Sequence, residues 1–549
     1  MSAETTLLLV LGAVAVIVGI RWVADRTGLP AAALLTLAGI GYALLPGPNV
    51  SLDPHLVLTL VLPPLLYSAA LDSSLTAIRR NLRTVVSLSV LLVLVTAVLI
   101  GVGFELFVTG ATLAAGIALG AAVAPPDPVA ALSVGRKVGL PPRLITLIQG
   151  EGLLNDATAL TLLTVAVGAA QGDGFSTPAA VGEFVIAAAG GAAAGMAVAY
   201  GVRPLRRLRR DPLSSNAISL ATPFVAYLLG EALHVSGVLA VVVAGLVIGH
   251  NTPYWTSGAS RLQTDAVWRL VDFLLEGVVF LLIGQQLPTV IRGLGQYETS
   301  TIVTAAGITV GCVLLIRPLW MLLTESLPRS LHTRLGGQDV RADGEEPAAS
   351  ERLTIREIVV LSWAGTRGVI SLAAIFTLPL VTDSGVPFPD RDLLLFCAFL
   401  AVLVTLVGQG LTFAPLVRAL GCRADQADEA RLRNQARIAA AEAGLARLDT
   451  MQSEEHDDVD DRAIATLRAQ LTHRVDRYRH RLDVLETAEG DIPLSPTYEA
   501  ALRLRRAVIA AQREELLRWR DGARLPDEGL RILERELDHE EGLLPARGR

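Results

Sequence analysis

Long apolar runs separated by short polar segments fill the chain to about residue 422, and a different pattern follows. The runs are long enough to cross a bilayer as helices. They predict about thirteen spans, at 5–22, 30–46, 54–71, 84–108, 111–134, 143–170, 178–202, 214–232, 236–250, 264–289, 299–325, 355–380 and 392–419. Residues 423–549 are charged, with apolar positions recurring at helical spacing. They predict four amphipathic helices near 426–450, 460–487, 496–519 and 527–540. Ser495-Pro496 starts the third, with Glu499 just after. The expected fold is all-α: a polytopic membrane domain over 1–422 and a helical tail over 423–549.

Charge tests the span count, because loops rich in Lys and Arg stay on the cytoplasmic side. One alternate set of loops carries Arg21 and Arg26; Arg79, Arg80 and Arg83; Arg136, Lys137 and Arg143; Arg203, Arg206, Arg207, Arg209 and Arg210; Arg261; and Arg329, Arg334, Arg341 and Arg352. The other set, 47–53, 109–110, 171–177, 233–235, 290–298 and 381–391, holds little positive charge beyond Arg292 and Arg391. An odd number of spans follows, with the N-terminus outside and the tail inside. Residues 5–20 are followed by no small-residue cleavage site and are expected as a first membrane helix, not a removed signal peptide.

Composition narrows the class. The chain has 549 residues, 52% of them hydrophobic, and mean hydropathy is +0.50, too apolar for a soluble protein of this length. A net charge of −6 gives no reason to expect nucleic acid as a partner. Lys137 is the only lysine, a bias expected of a GC-rich bacterial coding sequence. Cys312, Cys397 and Cys422 imply no disulfide framework.

Two spans break the helical pattern. The fifth contains Ala124-Pro125-Pro126-Asp127-Pro128-Val129. Each proline lacks an N–H and clashes with the preceding turn, so a regular helix cannot continue. The twelfth contains Ser362-Trp363-Ala364-Gly365-Thr366-Arg367-Gly368, with glycines flanking an arginine. Irregular backbone at membrane depth is tolerated where it is shielded or lines a cavity, and paired broken helices point to a transporter site.

The candidate chemistry lies on the sixth span, in Gln149-Gly150-Glu151-Gly152-Leu153-Leu154-Asn155-Asp156-Ala157. Asp156 lies roughly 20 Å along a helix from Arg143, near the bilayer midplane. An ionisable group there needs a partner or a purpose. Gly152 and Asp156 share one helical face, Glu151 and Asn155 the next. Asp156, Asp127 and the carbonyls freed near Pro125 and Pro126 make an oxygen-rich cage for a hard monovalent cation. A carboxylate in such a cage holds either a proton or a cation, and that competition is the physical basis of exchange. Arg317 and Arg367 are charges in the eleventh and twelfth spans, and Glu151 is the natural partner of one of them. A pair of that kind mainly fixes architecture, since desolvation offsets its attraction.

Other charges and motifs have plainer readings. Asp265, Arg269, Asp272 and Glu276 stand at helical spacings that favour internal pairing. Glu105, Glu183, Glu231, Glu325 and Glu357 are expected at interfaces, and Trp22, Trp255, Trp320 and Trp363 as interface anchors. Gly190-Gly191-Ala192-Ala193-Ala194-Gly195 suits close helix packing. In the tail, the run Glu454, Glu455, Asp457, Asp458, Asp460 and Asp461 is a solvated linker, and Arg503, Arg505 and Arg506 lie on a basic face.

These motifs resemble the monovalent cation/proton antiporter family, in its bacterial NhaP-like sodium/proton exchanger branch, over roughly residues 5–420. Glu151-Gly152-Leu153-Leu154-Asn155-Asp156 is similar to the family's Glu-x-x-x-Asn-Asp segment, Asp127-Pro128 to its Thr-Asp-Pro element, and Thr366-Arg367-Gly368 to its Leu-Arg-Gly element. The resemblance implies inverted repeats, two crossed broken helices and a homodimer. It implies that Asp156 exchanges cation for proton, that Asp127 helps coordinate and that Asn155 supports the site. It implies that Glu151 pairs with Arg317, and that Arg367 neutralises helix ends at the crossover. An Asn-Asp pair is typical of the family's electroneutral exchangers. Three positions depart from the pattern. Gly152 stands where relatives often have a serine ligand, Pro126 replaces the threonine and leaves its carbonyl, and Ser68 stands where close relatives often have a glutamate. The cage then has fewer side-chain oxygens, with space for water.

The expected function is exchange of sodium for protons, with potassium as the alternative cation, in a bacterial inner membrane. The transported ions are sodium, held by Asp156 and Asp127, and the proton; no cofactor is expected. An acidic channel fits two broken spans poorly. An intramembrane enzyme needs a nucleophile with a base or a metal cluster, and His55, His234 and His250 show no ligand spacing. No phosphate-cradling loop ending in lysine suggests an ATP-driven pump.

Overall fold

The computed structural model describes residues 3–45, 54–171, 177–208, 211–326, 353–382, 385–424, 426–453, 461–486, 496–522 and 524–542. Arg209, Arg210, Arg329, Arg334, Arg341, Arg352, Ser495 and the acidic run from Glu454 to Asp460 lie outside them, as do the side chains of Glu325, Asp461 and Glu499. The chain divides into two units, Met1–Ala424 and Asp425–Arg549.

The first unit is helical apart from one isolated bridge between Val381 and Pro387 among the described residues. In chain order its main helices are α1 (Ala3–Thr27), α2 (Ala31–Ala43), α3 (Pro54–Leu71), α4 (Leu82–Phe107), α5 (Leu113–Val123), α6 (Pro128–Val138), α7 (Pro142–Gln171) and α8 (Thr177–Leu208). There follow α9 (Pro212–Ala232), α10 (Gly237–Trp255), α11 (Gly258–Gln285), α12 (Thr299–Ser326), α13 (Ile355–Trp363), α14 (Val369–Phe376) and α15 (Arg391–Leu420). Ten spans among the described residues are long and apolar enough to cross a membrane, counting α5 with α6 as one. The protein is therefore a multi-pass membrane protein.

Three predicted spans fall outside those ten, each for a physical reason. Helix α2 is apolar but only 13 residues long. Helix α11 has the length but carries Arg261, Asp265, Arg269, Asp272 and Glu276. The 355–380 stretch is two short helices, α13 and α14, parted at residues 364–368.

Helix starts follow local chemistry. Thr112, Asp211, Ser236 and Ser257 each accept a backbone N–H of the helix that follows, satisfying a donor with no intrahelical partner. Thr354 and Glu357 form a reciprocal capping box at α13, which gives the span-end Glu357 its role. Helix α6 ends at Gly139, whose φ of 77° suits glycine.

The unit packs as two neighbouring groups, α4–α7 with α12–α15, and α1–α3 with α8–α11. Close approach depends on small residues. A Cβ on Gly284 of α11 would come within 2.6 Å of the Ile40 backbone nitrogen in α2. In the predicted small-residue run, a Cβ on Gly195 of α8 would stand 3.0 Å from Val243 of α10. The tryptophans do more than mark an interface. Trp320 donates to Ser87 at 3.1 Å, tying α12 to α4, and Trp363 donates to Thr412 at 2.8 Å, tying α13 to α15.

The second unit has four helices: α16 (Gln426–Ser453), α17 (Asp461–Glu486), α18 (Pro496–Asp521) and α19 (Asp527–Gly542). Each predicted tail helix is present, with ends shifted by a few residues. Arg479 pairs with Glu442 at 2.7 Å between α17 and α16, and Arg513 pairs with Glu541 at 2.7 Å between α18 and α19. Arg503 and Arg505 are exposed.

Candidate functional site

The prolines at 125, 126 and 128 stop α5 at Val123 and restart the chain as α6 at Pro128. Between them the backbone is extended at Asp127. The Gly365-Thr366-Arg367-Gly368 stretch does the same between α13 and α14. These two breaks lie against each other. The Asp127 N–H donates to the Thr366 carbonyl at 2.6 Å, and the Thr366 hydroxyl donates to the Asp127 carbonyl at 2.9 Å. Two interruptions more than 200 residues apart in sequence thereby satisfy each other's freed backbone groups.

Charges at the breaks match the helix ends around them. Arg367 donates from Nε to the Val123 carbonyl at 2.6 Å, at the end of α5. A second Arg367 donor, Nη1, bonds the Gly365 carbonyl just beyond α13. One buried guanidinium thus meets the carbonyl ends of both first halves, where the helix dipole is negative. The Arg367 backbone N–H donates to the Thr405 hydroxyl of α15 at 3.0 Å. Asp127 serves the opposite ends. Its Oδ1 accepts the Val129 N–H at 2.9 Å and caps α6. Its carboxylate also abuts Gly368, the cap of α14: a Cβ there would lie 2.7 Å from the Asp127 Cβ and run into the carboxyl group.

Helix α7 supplies the rest. Asn155 is fully buried, and its Nδ2 donates to the Pro126 carbonyl at 2.8 Å. Its Oδ1 is left buried with no hydrogen-bond partner. Asp156, the next residue, is 5% exposed and accepts no hydrogen bond among the described residues. Pro126 therefore acts first by orienting Asn155. Buried polar atoms are almost always bonded, so an orphaned amide oxygen beside a buried, unpaired carboxylate marks a place where something with positive charge is received.

Glu151 lies elsewhere. Its carboxylate and the Arg317 guanidinium form a bidentate pair, with Arg317 Nη2 to Glu151 Oε2 at 2.8 Å. Arg317 also donates from Nε to the Leu361 carbonyl of α13 at 3.0 Å. The pair joins α7, α12 and α13. It leaves Arg367 to the helix ends.

Two expectations are corrected. Gly152 does not leave an opening for water. The Pro128 ring fills that place, and a Cβ on Gly152 would meet its Cδ at 2.7 Å. The charges of α11 do not pair internally among the described residues. Arg269 instead donates to the Asp265 backbone carbonyl at 3.2 Å, while Ser68 of α3 donates to Asp272. Sequence reasoning named Thr366 within its motif but gave it no role, and it passed over Thr405. Thr366 had a signal, a hydroxyl inside a helix break; Thr405 had none.

An unpaired carboxylate and amide oxygen, buried where two broken helices meet inside a multi-pass helical bundle, define an ion transporter and not an enzyme. The family described as "Sodium/hydrogen exchanger, transmembrane" matches residues 12–419. An uncharacterized Na(+)/H(+) exchanger of Mycobacterium tuberculosis (strain ATCC 25618 / H37Rv) is 34% identical over 526 residues, covering 94% of this chain and 92% of the relative. The Na(+)/H(+) antiporter ApNhaP of Aphanothece halophytica is 30% identical over 402 residues, 73% of this chain and 71% of the relative. The solved sodium proton antiporter MjNhaP1 of Methanocaldococcus jannaschii shares the fold, with a TM-score of 0.59 and 17% identity over 76% of this chain and 98% of that one. The chain belongs to the sodium/hydrogen exchanger family, and it is a cation/proton antiporter.

Proposed function

We propose that the protein exchanges one sodium ion for one proton at Asp156. The observation that carries this reading is the pairing of the unbonded Asp156 carboxylate with the orphaned Asn155 Oδ1. The cation takes oxygens from Asp156, Asp127 and Asn155, and a proton on Asp156 displaces it. Asp127 already caps α6 with one oxygen, so its second oxygen is the one offered to the ion. Asn155 stays oriented by Pro126, while Glu151 with Arg317 and Arg367 hold the frame. A single exchanged carboxylate, with asparagine beside it, supports electroneutral stoichiometry.

The protein sits in a bacterial inner membrane with its N-terminus outside and its tail in the cytoplasm. The alternation of basic and non-basic loops supports this orientation. It works as a homodimer, and the tail regulates exchange or supports the dimer. A chain lacking 423–549 with unchanged pH dependence and oligomeric state would remove the tail's role.

The central test is transport in proteoliposomes under an imposed pH gradient, with sodium, lithium and potassium compared. Wild-type protein moves sodium against protons, and Asp156→Asn abolishes exchange while the protein still folds. Normal exchange by that variant would overturn the reading. Faster potassium than sodium exchange would reassign the cation, and flux independent of the proton gradient would mean a channel.

A further inference from the structure

A second set of buried charges lies apart from the ion site, near the carboxyl end of α8. Arg206 is only 6% exposed, yet it forms no ion pair among the described residues. Its Nε is sealed in without an acceptor. Arg203, one turn earlier, also has a buried Nε without an acceptor. Its guanidinium stands 5.7 Å from the centre of the Trp255 ring in α10, and Trp255 in turn packs beside Tyr200. Tyr67 of α3 is fully buried beside Arg206, Ser219 and Thr222, and its hydroxyl also has no hydrogen-bond partner. The Ser219 hydroxyl is held by the Trp268 indole N–H at 3.0 Å. Three donor atoms without a geometric acceptor, Arg203 Nε, Arg206 Nε and the Tyr67 hydroxyl, therefore lie within one bundle of α3 and α8–α11.

A buried guanidinium and a half-buried one a turn away repel each other and lose much of their hydration. Water cannot neutralise that charge; an anion can, and a guanidinium bonds phosphate through paired donors. The surroundings decide what carries the phosphate. Tyr200, Leu205 and Tyr254 are exposed and apolar around the arginines, and Tyr and Trp favour headgroup depth. A free ion gains nothing from such walls, whereas acyl chains cover them. We propose that Arg203, Arg206 and the Tyr67 hydroxyl bind the headgroup phosphate of an anionic phospholipid within a single protomer. The lipid comes from the leaflet that borders the basic loops, where anionic headgroups gather around arginine.

The test uses the full chain, purified and placed in phosphatidylcholine nanodiscs with and without phosphatidylglycerol, with inorganic phosphate as a separate addition. The readouts are thermal midpoint and retained lipid by native mass spectrometry. Phosphatidylglycerol raises the wild-type midpoint and stays bound, and neither phosphatidylcholine nor inorganic phosphate does so. Arg203→Gln and Arg206→Lys each weaken phosphatidylglycerol retention about tenfold, the loss of one charge-assisted contact. Arg206→Lys keeps the buried charge and removes only the fork, and Arg203 is half-buried, so one variant reports even if the other misfolds. Equal retention by wild type and both variants would overturn the site. A midpoint shift with inorganic phosphate but not with phosphatidylglycerol would overturn the lipid as its source.

Discussion

Glu151 and Asp156 stand five residues apart on α7, and both are buried, yet their surroundings are opposite. Glu151 is gripped by Arg317 through two parallel hydrogen bonds, and among the described residues nothing bonds Asp156. Burial alone does not separate a framework carboxylate from a working one. The partner does: a charge matched inside the protein is fixed, and one left open exchanges its partner with solvent. The neighbouring amide makes the same distinction, since Asn155 spends its nitrogen on Pro126 and leaves its oxygen free.

The comparison can be broken most forcefully at the matched charge. Glu151→Gln leaves Arg317 buried without its counter-ion and is expected to cost about 3–5 kcal/mol of stability, seen as a lower thermal midpoint. Replacing Arg317 with methionine in the same chain restores a large part of that loss. Additive losses in the double variant would mean the two side chains are not coupled. Asp156→Asn is expected to do the reverse, with exchange lost and the midpoint nearly unchanged.

Gly152→Ser is a sharper probe, because it adds the side-chain oxygen that relatives often carry. Here the new Cβ meets the Pro128 ring. The expected outcome is overpacking of about 1–3 kcal/mol and slower exchange, not tighter ion binding. A lower apparent KM for sodium with an unchanged midpoint would show that the ring yields. The smallest effect is expected at Thr366→Val, which removes one hydrogen bond to the Asp127 carbonyl, worth about 1 kcal/mol. It should reduce the turnover rate more than it reduces stability, through looser placement of Asp127. Turnover at the wild-type level would mean that the remaining Asp127 N–H bond to Thr366 suffices.

Much of this was legible in the chain. Three prolines within four positions, at 125, 126 and 128, dictate a break, whereas the single prolines at 204, 223, 253, 318 and 415 stay inside helices. The spacing of Glu151 and Asp156 puts them on different faces, and arginines at 317 and 367 announce buried charges needing acceptors. Contacts set by three-dimensional approach were not legible. Gly152 reads as a missing ligand until the Pro128 ring is seen against it. The charges of α11 read as internal pairs because helical spacing permits it, but Asp272 finds Ser68 on another helix. Nothing in the sequence around Thr405 tells that its hydroxyl will receive the Arg367 backbone.

The Arg367 bond to Val123 also sets an order of assembly. The two residues are 244 positions apart, so the carboxyl end of α5 is made and inserted long before its donor exists. Until then a helix end at membrane depth carries an unanswered carbonyl, and no chain stopped short of α13 can answer it. Completion of the protein is thereby registered at its centre: the bond that closes the first break is supplied only when the second has been synthesised.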